Sequence, residues 1–445
     1  MSSNKQQYDV LIIGGGWAGI SAAIKLIDEG KKVCVVEAGK ELGGRARGIQ
    51  YKDYNVDNGT HIMVGAYTNT LQLVEKIHSI GNKTYKENDL FERQALNLNY
   101  KSDIDINIPA IKFIAPINII FSFLFASGLS FREKLSILNL GIKIKLNFFK
   151  DLEDINLEEF LKQQNQPASI IEKIWDPLCL AIMNTPINNT STEIFLKVVK
   201  DAFFKSYQSS NILLFKQNLS NILPKPAKEF IEQSNTVYTN QSIHTIEVRD
   251  NQFFAQSNTK SLQATDIIIA TAPTAAIKLL SSLNMPASLN PLLTQLQQFT
   301  YQPICTVYIS YPVAIDIERT MQGFLGTTSQ WLFHKSSGND NRFISIIMSS
   351  QGEHITWSNA VLIEKVLQEL NQYYPSWPQP IDAFVIREKR ATFTASVNIN
   401  RIRPNNQTEI PHLWLAGDYT NTQYPATLEG AVRSGLNCAK QLLAS

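Results

Sequence analysis

The chain has 445 residues, 44% hydrophobic, enough for large cores and more than one simple layer, so two intertwined domains are expected. A net charge of +2 gives no reason to expect nucleic acid or a strongly acidic partner. The four cysteines (Cys34, Cys179, Cys305, Cys438) are scattered without CxxC or metal-like spacing, which points to a reducing compartment and no structural metal.

The first element is a buried parallel strand, Val10 to Ile13. It runs into Gly14-Gly15-Gly16-Trp17-Ala18-Gly19. A helix follows, with Ile20, Ile24 and Ile27 on one face and Ala23 small enough to sit close to a sheet. Gly30 ends it, and Val33 to Val36 returns as a second strand before Glu37. The Val10 to Ile27 stretch is apolar enough to imitate a signal peptide. Asp9, the glycine spacing and the lack of a small-residue cleavage site argue instead for a cytosolic start. No run of membrane-spanning length appears.

Gly14-x-Gly16-x-x-Gly19 allows a tight turn, a bare backbone against a pyrophosphate, and close helix–strand contact. The helix N-terminus then presents N–H groups and a positive dipole end, with Trp17 and Ala18 in its first turn. Glu37 is placed to accept hydrogen bonds from ribose hydroxyls, and its charge disfavours a 2′-phosphate. Strand, glycines, helix and acid together give a dinucleotide site. No second such motif follows a strand, so no built-in nicotinamide site is expected and electrons must be exchanged with an external donor or acceptor.

Further along, Gln94 to Tyr100 and Asp103 to Ile108 alternate as half-buried strands do. Helices are expected near Ser130 to Phe149, Asn156 to Gln163 (with Asn156 and Glu159 as a capping pair), Ser169 to Met183 and Thr192 to Phe204. Ile267 to Ala270 reads as a buried strand followed by a helix. Pro303 to Tyr311 and Phe343 to Met348 read as strands of a second sheet, with a helix from Val361 to Tyr373. Leu413 to Ala416 is the last strand, running into Gly417-Asp418 and a helix beginning around Ala426. The expected class is α/β: a Rossmann-like cofactor domain at 1–90, 220–300 and 385–445, with a discontinuous α+β substrate domain at 91–219 and 301–384.

The Glu37…Gly43-Gly44-Arg45 arrangement resembles the FAD site of the amine oxidase and phytoene desaturase superfamily. Three further segments narrow the likeness. They are Asp57-Asn58-Gly59-Thr60-His61, the run Trp175-Asp176-Pro177-Leu178-Cys179 to Asn184-Thr185-Pro186, and Tyr424-Pro425-Ala426-Thr427-Leu428-Glu429-Gly430. Together they resemble the hydroxysqualene dehydroxylase family, flavoenzymes of hopanoid biosynthesis, over nearly the whole chain. Thr60 stands where that family usually has Gln.

The resemblance implies non-covalent FAD and reductive removal of the hydroxyl of hydroxysqualene, a C30 isoprenoid, to give squalene. It implies FAD contacts from Gly14, Gly16, Trp17, Ala18, Gly19, Glu37, Gly44, Arg45, Gly59, Gly417, Asp418, Thr427 and Leu428. The dipole of the final helix would then favour anionic reduced flavin.

On the substrate side, His61 and Tyr424 are candidates to donate a proton or orient the hydroxyl, and the Tyr424 ring to stabilise cation character. Each has a structural alternative: a hydrogen-bonded core histidine, and a tyrosine shaping a turn before Pro425. Asp176 is a third acid candidate, or else caps a helix before Pro177. Cys179 is expected to pack or to line the pocket.

The stretch 112–129 is the most apolar of the chain and is followed by Arg132, Lys134, Lys143, Lys145 and Lys150. It reads either as a membrane-contact segment with a basic rim or as a buried helix of the substrate domain. On the first reading the protein is cytoplasmic and peripheral on the inner face of the cell membrane, with possible association with the upstream squalene-pathway synthases. The competing activities are a carotenoid-type desaturase running in the opposite electron direction, a true amine oxidase, and a lipid carrier without chemistry.

Overall fold

The computed structural model describes residues 7–82, 84–283, 286–317, 319–334 and 342–445. Its organising feature is a parallel sheet whose strands come from distant parts of the chain. Gln7–Ile13 lies between Val33–Val36 and the C-terminal half of Ser261–Ile269, with Thr236–Tyr238 beyond Val33–Val36. Leu413–Leu415 pairs in parallel with Ser261–Ile269 on its other edge. All four residues of Val33–Val36 are buried, as is Val10 to Ile13, which is the reason these runs read as continuously apolar.

Register does the positioning. Ile13 pairs with Val36 and with Ile269, and Ile269 pairs with Leu415. The carboxyl ends of four strands therefore align, and Gly14, Glu37, Ala270 and Ala416 leave the sheet at one edge. In open parallel sheets that edge is where ligands bind.

The phosphate-loop helix Trp17–Asp28 packs on the C-terminal helix Leu428–Ala444. A Cβ at Gly435 would lie 2.1 Å from the Ala18 carbonyl oxygen, so only glycine permits this approach. Ser21 Oγ donates to the Val432 carbonyl at 3.3 Å across the same contact.

The second sheet, mostly antiparallel, runs in the order Asp382–Phe393, Tyr301–Ser310, Phe343–Ser349, Trp331–His334, Met321–Phe324, Leu98–Lys101, Ile106–Ile108. Asp382–Phe393 straddles the expected boundary at 385 and pairs along its length with Tyr301–Ser310, so its residues belong to this sheet.

The expected strand Gln94 to Tyr100 is two strands. Phe91–Gln94 pairs with Ile212–Phe215, whereas Leu98–Lys101 joins the second sheet. Asn97 breaks the run: its Nδ2 donates to the Ala95 carbonyl at 3.3 Å, and its Oδ1 accepts from Ala110 N at 2.7 Å. The alternation in sequence is not an alternation in burial: Leu98, Asn99 and Tyr100 are all buried, so period alone did not reveal the break.

The helical region contains Ile117–Leu124, Phe131–Lys145, Leu157–Gln163, a continuous turn series from Ala168 to Met183, and Thr192–Phe203. Ser130 and Glu133 close a full capping box on Phe131–Lys145, and Asn156 caps the next helix by accepting from Glu159 N at 2.9 Å. Among the described residues no helix is long and apolar enough to cross a membrane.

Candidate active site

A cavity of about 440 Å³ opens at the carboxyl edge of the parallel sheet and is closed by the second sheet through Ile304, Ile386, Glu388 and Thr392. Its walls include Gly14, Gly16, Trp17, Ala18, Glu37, Gly44, Arg45, Gly59, Gly417, Asp418, Thr427 and Leu428. Gly19 is expected at this site but does not line it. A Cβ there would sit 2.0 Å from the Gly14 carbonyl oxygen, so its work is helix–strand packing.

The phosphate loop is shaped for a ligand's backbone approach. Gly14 has φ +111°, and a Cβ there would strike the Ala270 carbonyl oxygen at 2.6 Å. Gly16 is different: its Cβ would meet nothing within 4 Å, so the space over it is open. Gly16 caps the helix without a side chain, and the first turn holds no acidic residue. The first-turn N–H groups thus face the cavity with no side-chain acceptor, the arrangement that receives phosphate. Glu37 braces the loop, accepting from Gly15 N and Gly39 N, each at 2.7 Å. Its remaining lone pairs are available to ribose hydroxyls. Trp17 Nε1 donates to the Ala46 carbonyl at 2.9 Å, tying the phosphate loop to the Gly43–Arg47 turn.

The far end of the chain completes the cavity. Asp418 Oδ2 pairs with Arg45 at 2.6 Å, and Arg45 also donates to the Ala391 carbonyl at 2.8 Å. Thr427 caps the C-terminal helix by accepting from Gly430 N at 3.0 Å, which orients that N-terminus toward the cavity through Thr427, Leu428 and Ala431.

Two supports escaped the sequence reading. The buried Arg403 donates to the carbonyls of Thr420 at 2.8 Å, Tyr424 at 2.8 Å and Asp418 at 2.8 Å, so it holds the loop that carries Asp418. Glu429 is fully buried; its carboxylate accepts from Thr70 N at 2.9 Å, Thr70 Oγ1 at 2.8 Å and Asn69 Nδ2 at 2.8 Å, and pairs with Arg433 Nε at 2.9 Å. Only the position of Glu429 inside the Tyr424–Gly430 motif hinted at it; nothing local marked Arg403.

The three chemical candidates separate. His61 lines the cavity. Its Nδ1 lies 2.8 Å from the Gly59 carbonyl, which can only accept, so Nδ1 carries the proton and Nε2 presents a lone pair. Burial holds its basicity below the usual histidine range, against the opposing pull of Asp57 and the Gly59 carbonyl. The ring is therefore neutral and acts as an acceptor at Nε2. A small cavity of about 40 Å³ adjoins His61 and Thr60. There Thr60 Oγ1 donates to Ser345 Oγ at 2.8 Å.

Tyr424 does not reach the cavity. It is fully buried and the Arg433 guanidinium lies 4.0 Å from the centre of its ring, so that face is already used by a cation. Asp176 does not reach it either. Its carboxylate is bonded by the Ile187 N–H and burial pushes its pKa up, at the start of the helix Asp176–Met183. Cys179 is a packed thiol, bonded to Thr190 Oγ1 at 3.2 Å. Among the described residues no group of His, Cys, Asp or Glu side chains could hold a metal ion.

A dinucleotide cradle at a parallel-sheet edge, gripped from both ends of the chain, defines a nucleotide-cofactor oxidoreductase. The chain belongs to the family of flavin containing amine oxidoreductases, which matches over residues 17–443. Hydroxysqualene dehydroxylase of Zymomonas mobilis is 23% identical over 96% of this chain and 97% of its own length. Zeta-carotene desaturase of Synechocystis sp. is 23% identical over 98% of this chain and 97% of its own length. Cyclohexylamine oxidase from Brevibacterium oxydans shares the fold, with a TM-score of 0.73 at 14% identity and 99% coverage of both chains. The cofactor is FAD, and the open cradle over Gly16, the uncapped first turn and the free lone pairs of Glu37 fit its pyrophosphate and ribose. The protein is thus a flavin-dependent oxidoreductase.

Proposed function

We propose that this enzyme reductively dehydroxylates hydroxysqualene, a hydroxylated C30 isoprenoid, to squalene. The overall change is R–OH plus two electrons and two protons giving R–H and water. Bound FAD supplies the hydride chemistry, and the electrons come from an external reductant. The observation that carries the reading is a second cavity, of about 210 Å³, with an almost wholly aliphatic and aromatic lining. Trp175 and Leu178 of the middle motif form one wall, and Pro116 to Phe123 of the 112–129 stretch another.

Within the cofactor cavity, neutral His61 accepts a hydrogen bond at Nε2 and orients the substrate hydroxyl. It does not itself supply the proton that leaves with the hydroxyl while it remains neutral, so that proton comes from solvent or another donor. Delivery of a water-insoluble chain fits the outer surface of the same region. Ile114 is 76% exposed, Phe125 68%, Phe131 70% and Phe148 69%, among Lys112, Arg132 and Lys134. Apolar side chains with a basic rim suit the inner face of an anionic membrane, where the synthases that make the substrate would also be met.

The second reading, a carotenoid-type desaturase, is supported by the likeness to zeta-carotene desaturase. An anaerobic single turnover decides between them. Photoreduced enzyme mixed with hydroxysqualene should reoxidise its flavin and form squalene in equal amounts. Absence of squalene, with oxidised enzyme instead turning over phytoene, would reverse the assignment.

A further inference from the structure

A few polar residues interrupt the apolar lining of the 210 Å³ cavity, and one of them carries an unpaired buried atom. Asn118, on the helix Ile117–Leu124, lines it, is 3% exposed, and has an Oδ1 without a hydrogen-bond partner among the described residues. A buried polar atom left unpaired is destabilising, so its persistence needs a reason. Its helix does not use it: the Asn118 backbone carbonyl accepts from Ser122 Oγ at 2.9 Å, and its N–H donates to the Ile114 carbonyl at 3.2 Å. Besides Tyr207, the wall carries three neighbouring polar groups, and these are engaged elsewhere. Ser122 Oγ also accepts from Ile111 N at 3.3 Å, Ser210 donates to the Tyr207 carbonyl at 3.0 Å, and Lys145 Nζ to the Phe204 carbonyl at 3.3 Å. A trapped water would need two or more partners there and finds few.

We infer that this cavity is a binding site for a long apolar chain bearing a hydroxyl, and that the Asn118 carboxamide reads the hydroxyl. The amide accepts O–H at Oδ1 and donates from Nδ2, so an alcohol satisfies it in either orientation. A hydrocarbon of the same shape leaves it unpaired, which is the arrangement that discriminates most sharply against an analogue lacking the group. The cavity shares no lining residue with the cofactor cavity. Asn118 therefore acts before the chemistry, as a sorting position that holds an alcohol and lets the corresponding hydrocarbon go. This deepens the proposed function by naming the feature of the substrate that is selected, and rests on that reading only for which alcohol arrives.

The test is binding by the FAD-loaded full chain in detergent micelles, with radiolabelled farnesol and farnesene as probes and partition into empty micelles as the reference. Wild type should prefer farnesol by about fivefold, the size of one net hydrogen bond. Asn118→Leu, of similar volume, should bring the preference close to one while keeping FAD and farnesene binding. Should that variant fail to load FAD, Ile137→Trp, which fills the cavity, replaces it and should abolish binding of both probes. No preference in wild type, an unchanged preference in Asn118→Leu, or undiminished binding in Ile137→Trp overturns the inference. Loss of squalene formation in the single-turnover assay with the farnesol preference intact overturns the proposed function alone.

Discussion

Arg45 and Asp418 are joined by a 2.6 Å ion pair although 373 residues separate them in the chain. The pair fixes the turn after the second strand to the loop after the last one, on the wall of the FAD cavity. Arg45→Ala should weaken FAD binding by about 10–100-fold, the loss expected for hydrogen bonds to charged groups. Titration of the apoprotein by quenching of flavin fluorescence measures it; affinity within twofold of wild type would show that the pair is an ornament of the surface.

Gly16 and Gly19 should fail in different ways. The space over Gly16 is open, so Gly16→Ala should fold normally and lose FAD, because the methyl group occupies the place of the pyrophosphate. Gly19→Ala forces its methyl group against the Gly14 carbonyl and should lower the thermal midpoint of the apoprotein itself. Thermal melts of both apo variants check this, and equal midpoints would contradict it.

Glu429→Gln should be strongly destabilising. The carboxylate is fully buried, accepts from both Asn69 and Thr70, and is the nearer of two acids beside the half-buried Arg433, Asp201 lying at 3.7 Å, so the substitution leaves buried donors short of an acceptor and weakens the charge balance of Arg433. The expected cost is about 1–3 kcal/mol, read as a fall in the unfolding midpoint together with faster FAD release. A midpoint unchanged from wild type would mean the charge contributes nothing.

His61 sets a pH dependence. Its folded pKa lies below the ordinary 6.5 because burial disfavours the charged ring, and His354 is depressed for the same reason, with Arg387 adding to it. Between the folded value and 6.5 the unfolded chain binds protons that the folded one does not. Stability should therefore be flat above about pH 6.5 and fall as pH drops below it. Asp176, raised by burial, works in the opposite sense but nearer the carboxylate range. Melting curves from pH 8 to 5 should show a shallower fall for His61→Gln than for wild type; parallel curves would remove His61 from the account.

Membrane contact is tested on the rim of exposed apolar side chains. Replacing Ile114, Phe121 and Phe125 together with serine should leave FAD content unchanged and reduce sedimentation with anionic vesicles several-fold. Undiminished sedimentation would leave the rim without that role.

What the chain disclosed in advance follows the range of the interactions concerned. Gly14, Gly16 and Glu37 were readable because a phosphate loop is made by neighbours in sequence, and Asp418 because it follows a recognisable strand. Tyr424 sits in an equally recognisable motif, yet its side chain turns to Arg433, a choice made by the loop folding back onto the helix Leu428–Ala444. Arg403 bears no pattern because its partners are backbone carbonyls, which have no identity in a sequence. Asn118 looked like an interruption in an apolar run; its isolation is visible only once the neighbouring polar groups are seen to be engaged elsewhere.

The contact of Gly435 with Ala18 has a consequence for biogenesis. The phosphate-loop helix Trp17–Asp28 is synthesised long before its covering helix Leu428–Ala444. Until that helix is made, the face that meets Val432 and Gly435 stays bare, and the flavin cradle lacks the wall carrying Asp418 and Thr427. Cofactor capture is therefore deferred until the helix Leu428–Ala444 is in place, and flavin colour reports that docking: molecules stopped before Leu428 should be colourless and depend on chaperones.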